Sequence, residues 1–330
     1  MSRDRGFLLR EKLIAVGLGD LYDPLHELAG LTLAGCFRLR EVFAVGGQSI
    51  LWLADDLSQR DRLVLARMAL LQYHRPAYIA DEDIHRARQR IEREAQLLEQ
   101  FKDTPLPRSY GLFYAPNPLQ PAERGREVTD NEPFLVIELI QGPTVTESAK
   151  ALAVGCSFCR KNARAALALE TAHIVVELFC RLHDHGYLYT DLTPRNLIHA
   201  SLPSDWPVRV LDAGSIIPSS PTPEIDVPFN WAYLPPDYYA AYRIVRNLWP
   251  TQGFVIYTLG KTLWQVLTGR QPMPGEQPDL EDSALLEQPP PLVDLVRGLV
   301  QGHYDGFGDL KAVVEDLRHD LSSILKKLWV

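Results

Sequence analysis

The stretch that most constrains the fold is Tyr187–Ala200, YLYTDLTPRNLIHA, which is followed by LDAGS at Leu211–Ser215. An apolar, strand-like run leads into Asp191, and Asn196 follows in the same loop. A second β-rich run leads into Asp212. A loop carboxylate can accept a hydroxyl proton, while an amide and a second carboxylate can hold Mg²⁺ against phosphate oxygens. The spacing therefore indicates phosphoryl transfer, with a simple polar turn and capped loop as the alternative.

These two motifs resemble the catalytic loop and the metal-binding motif of the protein kinase family. The family's H-R-D-L-x-x-x-N appears as YTDLTPRN at Tyr189–Asn196, and its D-F-G appears as DAG at Asp212–Gly214. The resemblance implies that Asp191 is the catalytic base. It also implies that Asn196 and Asp212 are metal ligands, and that ATP and Mg²⁺ are the cofactors.

Upstream, the segment Phe37–Asp56 predicts a strand, a glycine turn and a second strand. It resembles the glycine-rich loop of the family, with Gly46 and Gly47 at the point where backbone amides approach the phosphates. Ala44 and Ser49 stand where the family has its other two glycines. A plain β-hairpin turn is the alternative.

The next strand, Leu63–Leu70, resembles the family's V-A-I-K strand. Here Ala66 is followed by Arg67 where the family has the lysine that holds the α and β phosphates. The amphipathic helix predicted over residues 81–101 resembles the αC helix, with Glu94 as its paired glutamate. The resemblance thus predicts an Arg67–Glu94 ion pair near the nucleotide. An edge-strand surface charge at Arg67 and a solvated helix face at Glu94 are the alternatives.

The segment LVIELIQG at 135–142 resembles the kinase hinge, with the backbone of Glu138 and Ile140 meeting adenine. After it the chain is mostly helical. We therefore expect an α+β, bilobal, kinase-like fold that binds ATP between its lobes. The expected divisions are an N-terminal extension at 1–32, a β-rich N-lobe at 33–139 with one αC-type helix, and a helical C-lobe at 140–330.

Several positions depart from the family pattern, which leaves three functions open. Arg67 and Thr193 stand where the family has phosphate-contacting lysines, and Tyr189, Thr190 and Val255 stand in its supporting scaffold. The first interpretation is a weakly active serine/threonine protein kinase. The second is a catalytically inactive pseudokinase that acts as a nucleotide-dependent scaffold or regulator. The third, a small-molecule kinase, is disfavoured by a segment at 212–237 that resembles the activation segment of protein kinases.

Composition and charge limit the classes of partner that we expect this protein to bind. The net charge of −8 argues against a nucleic-acid binder, and no apolar run is long enough to span a bilayer. The charged first residues do not resemble a secretory signal, and four cysteines without a disulfide framework fit a reducing cytoplasm. The pair Cys156 and Cys159 lacks a second pair for a zinc site, which favours ordinary loop residues. A protein substrate or a regulated partner protein is the expected partner.

The first 32 residues carry an apolar pattern at helical spacing, formed by Leu8, Leu9, Leu13 and Ile14. This pattern predicts a helix that ends near Gly17. Its apolar side is expected to pack on the body of this protein or on a partner.

Overall fold

The structure is a computed structural model that describes residues 28–45, 49–69, 81–116, 131–152, 157–201, 205–222, 225–242, 244 and 248–326. The chain divides into two compact units. Unit 1 comprises Met1–Lys102 and Pro107–Leu139, and unit 2 comprises Asp103–Leu106 and Ile140–Val330. Among the helices in the described ranges, none has the length and apolar character required to cross a membrane.

Unit 1 is built on one six-stranded antiparallel sheet with the order β1-β2-β3-β4-β6-β5. Alternating burial along β2 turns Phe37, Leu39 and Val42 inward, as expected for a strand with one solvated face. The strands are β1 (Thr32–Leu33), β2 (Phe37–Val45), β3 (Ser49–Asp56), β4 (Leu63–Ala69), β5 (Ser109–Pro116) and β6 (Asn131–Glu138).

Helix α1 (Asp81–Gln100) packs against β4, β5 and β6. The main core cluster of the sheet includes Trp52, Ala66 and Phe134, all without exposed surface. The sequence assigned residues 1–32 to an extension, but Leu28 lies in this core and Thr32 pairs with β2. Leu28 therefore belongs to the core of unit 1, while residues 28–30 form a turn and the sheet begins at Thr32. Residues 1–27, with the predicted helix, lie outside the described residues.

Unit 2 is mainly helical, which confirms the α+β class with a β-rich first part and a helical second part. Helix α3 begins at Ser157, so Cys159 lies in a helix rather than in the loop that the sequence favoured. Cys156 lies outside the described residues. The helices are α2 (Val145–Ala151), α3 (Ser157–Asp184), α4 (Pro236–Tyr242), α5 (Gln252–Thr268), α6 (Ser283–Leu286), α7 (Pro290–Gln301) and α8 (Phe307–Lys326).

Four short strands carry the loop region of unit 2. They are β7 (Tyr187–Tyr189), β8 (Leu197–His199), β9 (Val208–Val210) and β10 (Ile216–Pro218), and they form the antiparallel pairs β7–β10 and β8–β9. The segment at 212–237 begins with a 3₁₀ turn at Ala213–Ser215, and β10 follows because its backbone groups find partners in β7.

Close packing between α5 and α7 depends on a glycine. A Cβ added at Gly260 would lie 2.9 Å from Leu299 Cβ and 2.9 Å from Val300 Cγ2, closer than carbon atoms pack. We expect Gly260→Ala to lower the free energy of unfolding by about 1–3 kcal/mol, the usual cost of overpacking a core. Urea denaturation measures this change.

Gly308→Ala is the matched control, because Gly308 lies in α8 with nothing within 4 Å of an added Cβ. It should be neutral or stabilise slightly through helix propensity. Equal losses in the two variants would contradict the packing explanation.

Candidate functional site

The loop of unit 2 that carries Asp191 is held between β7 and β8. Its geometry is fixed from two sides. The Leu211 N–H donates to Asn196 O at 2.7 Å, which joins the loop to the segment before Asp212. On the other side, Thr262 Oγ1 of the buried helix α5 donates to Leu192 O at 3.3 Å. These bonds hold Asp191 and Asn196 in place against the folded core of unit 2.

The structure brings Asp191, Asn196 and Asp212 together within unit 2. Asn196 Nδ2 donates to Asp191 O at 2.8 Å and to Asp191 Oδ2 at 3.1 Å. Asp212 has a left-handed backbone conformation, with φ 61° and ψ 63°, and its Oδ2 accepts a hydrogen bond from Ser215 Oγ at 2.8 Å. The left-handed conformation is uncommon outside glycine and makes this turn sharp.

The Asp191 carboxyl is a perturbed acid. Burial and the nearby Asp212 charge raise its pKa to about 6, while the hydrogen bond from Asn196 acts in the opposite direction. Its Oδ1 atom is buried and finds no hydrogen-bond partner among the described residues. A carboxylate with a pKa near neutrality and an unsatisfied oxygen is well suited to accept a proton from a bound hydroxyl.

The donor set fits a magnesium ion that is shared with phosphates. Because Asn196 uses its Nδ2 on Asp191, its Oδ1 faces no hydrogen-bond donor among the described residues and can act as an oxygen ligand. Asp212 supplies a carboxylate, and Mg²⁺ needs only one or two such protein ligands when phosphates and water complete its shell. Across the described ranges, no cluster of three or more His, Cys, Asp or Glu side chains could hold a metal alone.

The three altered scaffold positions form satisfied contacts. Tyr189 is fully buried and donates from its hydroxyl to Leu211 O at 2.7 Å. Thr190 Oγ1 lies 2.6 Å from Pro228 O and 3.1 Å from Ser215 O, and the Thr190 N–H also donates to Ser215 O. Val255 is buried at the start of α5. Neutral hydrogen bonds and apolar packing thus support the Asp191 loop and connect it to the segment that follows Asp212.

In unit 1, Arg67 and Glu94 form the ion pair that the sequence predicted. Arg67 Nη1 lies 2.5 Å from Glu94 Oε1, and Arg67 Nε donates to Ser49 Oγ at 3.2 Å. The Glu94 side chain is only 3% exposed, so it does not belong to a solvated helix face. Ala66 is fully buried and pairs with Trp52 and Val136 in the sheet.

The structure places the remaining residues that the sequence singled out in different surroundings. The Glu138 N–H donates to Arg108 O, and Glu138 Oε2 accepts from the Arg108 N–H, so this residue ends β6 in a closed pair of bonds. Ile140 is the first residue of the second segment of unit 2. Gly46 and Gly47 lie outside the described residues. Thr193 is buried in unit 2, which removes its side chain from solvent.

Sequence reasoning missed the buried lysine of α5. Lys261 is fully buried, and its Nζ donates to Ala232 O at 2.8 Å and to Met273 O at 3.3 Å. Burial lowers the pKa of this ammonium group to about 8. The only signal in the sequence is a charged residue inside the apolar run that begins at Phe254. Lys261 ties two loops to the core helix and thereby fixes the residues just before α4.

Comparisons with known proteins support the resemblance. No family model matches the chain. The serine/threonine-protein kinase PrkC of Bacillus subtilis (strain 168) is 24% identical over 249 residues, which are 76% of this chain and 33% of that protein. The chain therefore spans about a third of the length of this curated relative.

The fold is also similar to a solved structure. The crystal structure of a Toxoplasma gondii specific rhoptry antigen kinase domain matches with a TM-score of 0.60 and 16% identity, covering 88% of this chain and 83% of that one. The chain has a kinase fold. This conclusion rests on its α+β architecture, on the loop that carries Asp191, on the carboxylates of Asp191 and Asp212, and on the structural match. The chain is protein-kinase-like.

The raised pKa of Asp191 predicts a pH-dependent effect on stability. The folded state holds the Asp191 proton more tightly than the unfolded chain, so the stability of the protonated form is lost as pH rises through about 6. Without divalent metal, Asp191→Asn should therefore raise the free energy of unfolding by about 3 kcal/mol at pH 7.5. At pH 4.5, where folded Asp191 is protonated, the gain should shrink to about 1 kcal/mol.

Urea denaturation at the two pH values measures this difference. Asp205→Asn is the control, since Asp205 is an exposed aspartate of the same unit. A stabilisation by Asp191→Asn that is equal at both pH values would contradict a buried carboxylate with a raised pKa.

Proposed function

We propose that the chain binds Mg·ATP and transfers the γ-phosphoryl group to a serine or threonine hydroxyl of a protein substrate. The observation that carries this proposal is the Asp191 carboxyl, held by Asn196 beside Asp212, with a buried oxygen that lacks a partner among the described residues. The similarity to a serine/threonine-protein kinase supports the choice of acceptor.

Each residue of the set has a defined role in the proposal. Asp191 orients the acceptor hydroxyl and takes its proton as the oxygen attacks the γ-phosphorus and the bond to ADP breaks. Asn196 and Asp212 would hold Mg²⁺, which would neutralise charge on the phosphates when bound. Arg67, fixed by Glu94, is proposed to contact the phosphates, while Gly46, Gly47, Ala66, Glu138 and Ile140 are proposed nucleotide contacts.

Two observations favour a second candidate, a nucleotide-binding pseudokinase. Arg67 stands where a lysine holds phosphates in related kinases, and Thr193 is a buried neutral residue at the second lysine position. Loss of one preorganised electrostatic contact costs about 3 kcal/mol of transition-state stabilisation, roughly a hundredfold in rate. The satisfied bonds of Tyr189 and Thr190 support instead a repacked, competent scaffold. Phosphate transfer is therefore the property to measure.

The first test is binding and transfer together. Saturating Mg·ATP should raise the midpoint of thermal unfolding, by mass action on the folded state. Asp212→Asn should remove most of the magnesium-dependent part. Asp191→Asn should keep the ATP response but abolish transfer, measured as added mass on the chain or on a general protein substrate.

Asp294→Asn is the control, because Asp294 is an exposed aspartate on α7. An unchanged magnesium response in Asp212→Asn would overturn the metal assignment. Undiminished transfer in Asp191→Asn would overturn the role of the base. Binding without transfer in the parent chain would select the pseudokinase.

The second test concerns Arg67. A lysine is a compact point charge, whereas the planar guanidinium of Arg67 is engaged by Glu94 and Ser49. Arg67→Lys should therefore leave nucleotide binding similar or tighter and raise transfer by up to about tenfold, or about 1.4 kcal/mol. Nucleotide titrations and initial transfer rates measure the two quantities.

Arg88→Lys is the matched control, since Arg88 on α1 forms a comparable ion pair with buried Glu132 at 2.6 Å. It should weaken that pair without raising transfer. A large loss of nucleotide binding in Arg67→Lys would mean that the pocket is built for a guanidinium.

A further inference from the structure

Unit 1 contains a cavity of about 840 Å³ between α1 and β5. This volume lies in the range of about 300–1,000 Å³ that is typical of ligand sites. Ala95, Leu112 and the rings of Tyr110 and Tyr114 form the apolar part of its lining, and the rest of the lining is mainly polar. Tyr114 is half exposed, and its hydroxyl donates to Glu92 Oε1 at 2.8 Å, which joins the two walls.

The cavity lies on the side of α1 that faces away from Glu94, the residue of this helix that pairs with Arg67. Successive helical residues are about 100° apart. Glu92, Ala95 and Glu99 therefore face away from Glu94, which points to Arg67. A segment bound in the cavity would contact α1 without contacting the residues that are proposed to bind the nucleotide.

Among the described residues, the charged residues that line the cavity are acidic, namely Glu92 and Glu99. One cation lies beside the lining: the Arg62 guanidinium is 4.5 Å from the centroid of the Tyr110 ring, and Arg62 is itself paired with Asp56. Glu99 also contacts Lys102 at 3.6 Å, but both side chains are exposed, and such surface pairs contribute little. The cavity is therefore suited to a segment that combines apolar side chains with positive charge.

Residues 3–14 of this chain have that chemistry. They contain Phe7, Leu8, Leu9, Leu13 and Ile14. The same stretch has four basic residues against two acidic ones, namely Arg3, Arg5, Arg10 and Lys12 against Asp4 and Glu11.

The chain also enters the described structure shortly before a strand that contacts β5, one wall of this cavity. Leu28 is buried in the core cluster against which Tyr110 packs. Strand β1 begins four residues later and contacts β5. Phe37, at the start of β2, makes a tilted ring contact with Phe113 of β5, with 5.3 Å between the ring centroids. An extended chain spans at most about 3.3–3.6 Å per residue, so 27 residues reach much farther than this.

We propose that residues 3–14 dock in this cavity of the same molecule, with their apolar side chains against Ala95, Tyr110 and Leu112 and their basic side chains near Glu92 and Glu99. Attachment to Leu28 gives the segment a high effective concentration at the cavity, so weak contacts suffice. The proposal does not rest on phosphoryl transfer, because docking is a property of unit 1.

Hydrogen exchange on the full chain tests the proposal. Two glutamines of α1 form a matched pair: both are exposed, but Gln96 lines the cavity and Gln89 does not. In the parent chain, amides within residues 3–14 should exchange at least about tenfold more slowly than in a synthetic peptide of residues 1–16. Gln96→Arg should remove this protection, because it repels the basic residues and fills the cavity. Gln89→Arg should retain it.

Gln96→Glu separates charge from shape. It adds a negative charge at the cavity and should increase the protection, opposite in sign to Gln96→Arg. Unchanged exchange in β5 and α1 confirms that the variants fold. Three outcomes would overturn the proposal: no protection in the parent chain, equal loss in the Gln96→Arg and Gln89→Arg variants, or protection that disappears on dilution, which would assign the cavity to a segment of a second copy.

Discussion

Unit 2 depends on the burial of one helix. Every residue of α5 from Phe254 to Thr268 is buried, so its polar side chains depend on partners inside the protein, and among the described residues most of them find one, with the Tyr257 hydroxyl as an exception. The partners are largely the loops that carry function. Thr262 holds Leu192 O, Lys261 holds Ala232 O, and Gln265 accepts from the Tyr233 hydroxyl. The need to satisfy a buried helix thus fixes the Asp191 loop and the residues before α4 at once.

The buried carboxylates of Asp191 and Glu94 show two ways in which the protein accommodates an acid inside the fold. A buried acid beside a second acid weakens the folded state, and proteins keep such arrangements where chemistry requires them. Asp191 has this character, with a raised pKa and a buried oxygen without a partner among the described residues. In unit 1 the opposite solution occurs, since the buried Glu94 is neutralised by Arg67. One acid is stabilised as a charge and the other is held ready to take a proton.

Much of this could be predicted from the sequence, because strands and helices of ordinary length leave a period in their apolar residues. Strand β2 alternates in this way, and the helix that carries Glu94 has apolar residues at helical spacing, whereas β3 and the strand that carries Arg67 are recognised as apolar runs of strand length. The strand β10 could not be found in this way, because three residues are too few to show alternation. Lys261 was missed because burial of a lysine depends on carbonyls contributed by distant loops. The cavity of unit 1 is formed by two elements whose facing sides no single stretch of sequence describes.

The contacts of Thr190 also bear on how such a sequence can change over generations. Its side chain is 1% exposed and fits between two backbone carbonyls, where an arginine would be too large. Tyr189 and Val255, the other two altered scaffold positions, are also buried, and neither side chain carries a negative charge that could pair with a guanidinium. Reversion of any one of the three toward the common kinase pattern would therefore pass through a less stable protein. We therefore expect the three residues to change together, and rarely one at a time, as the sequence evolves.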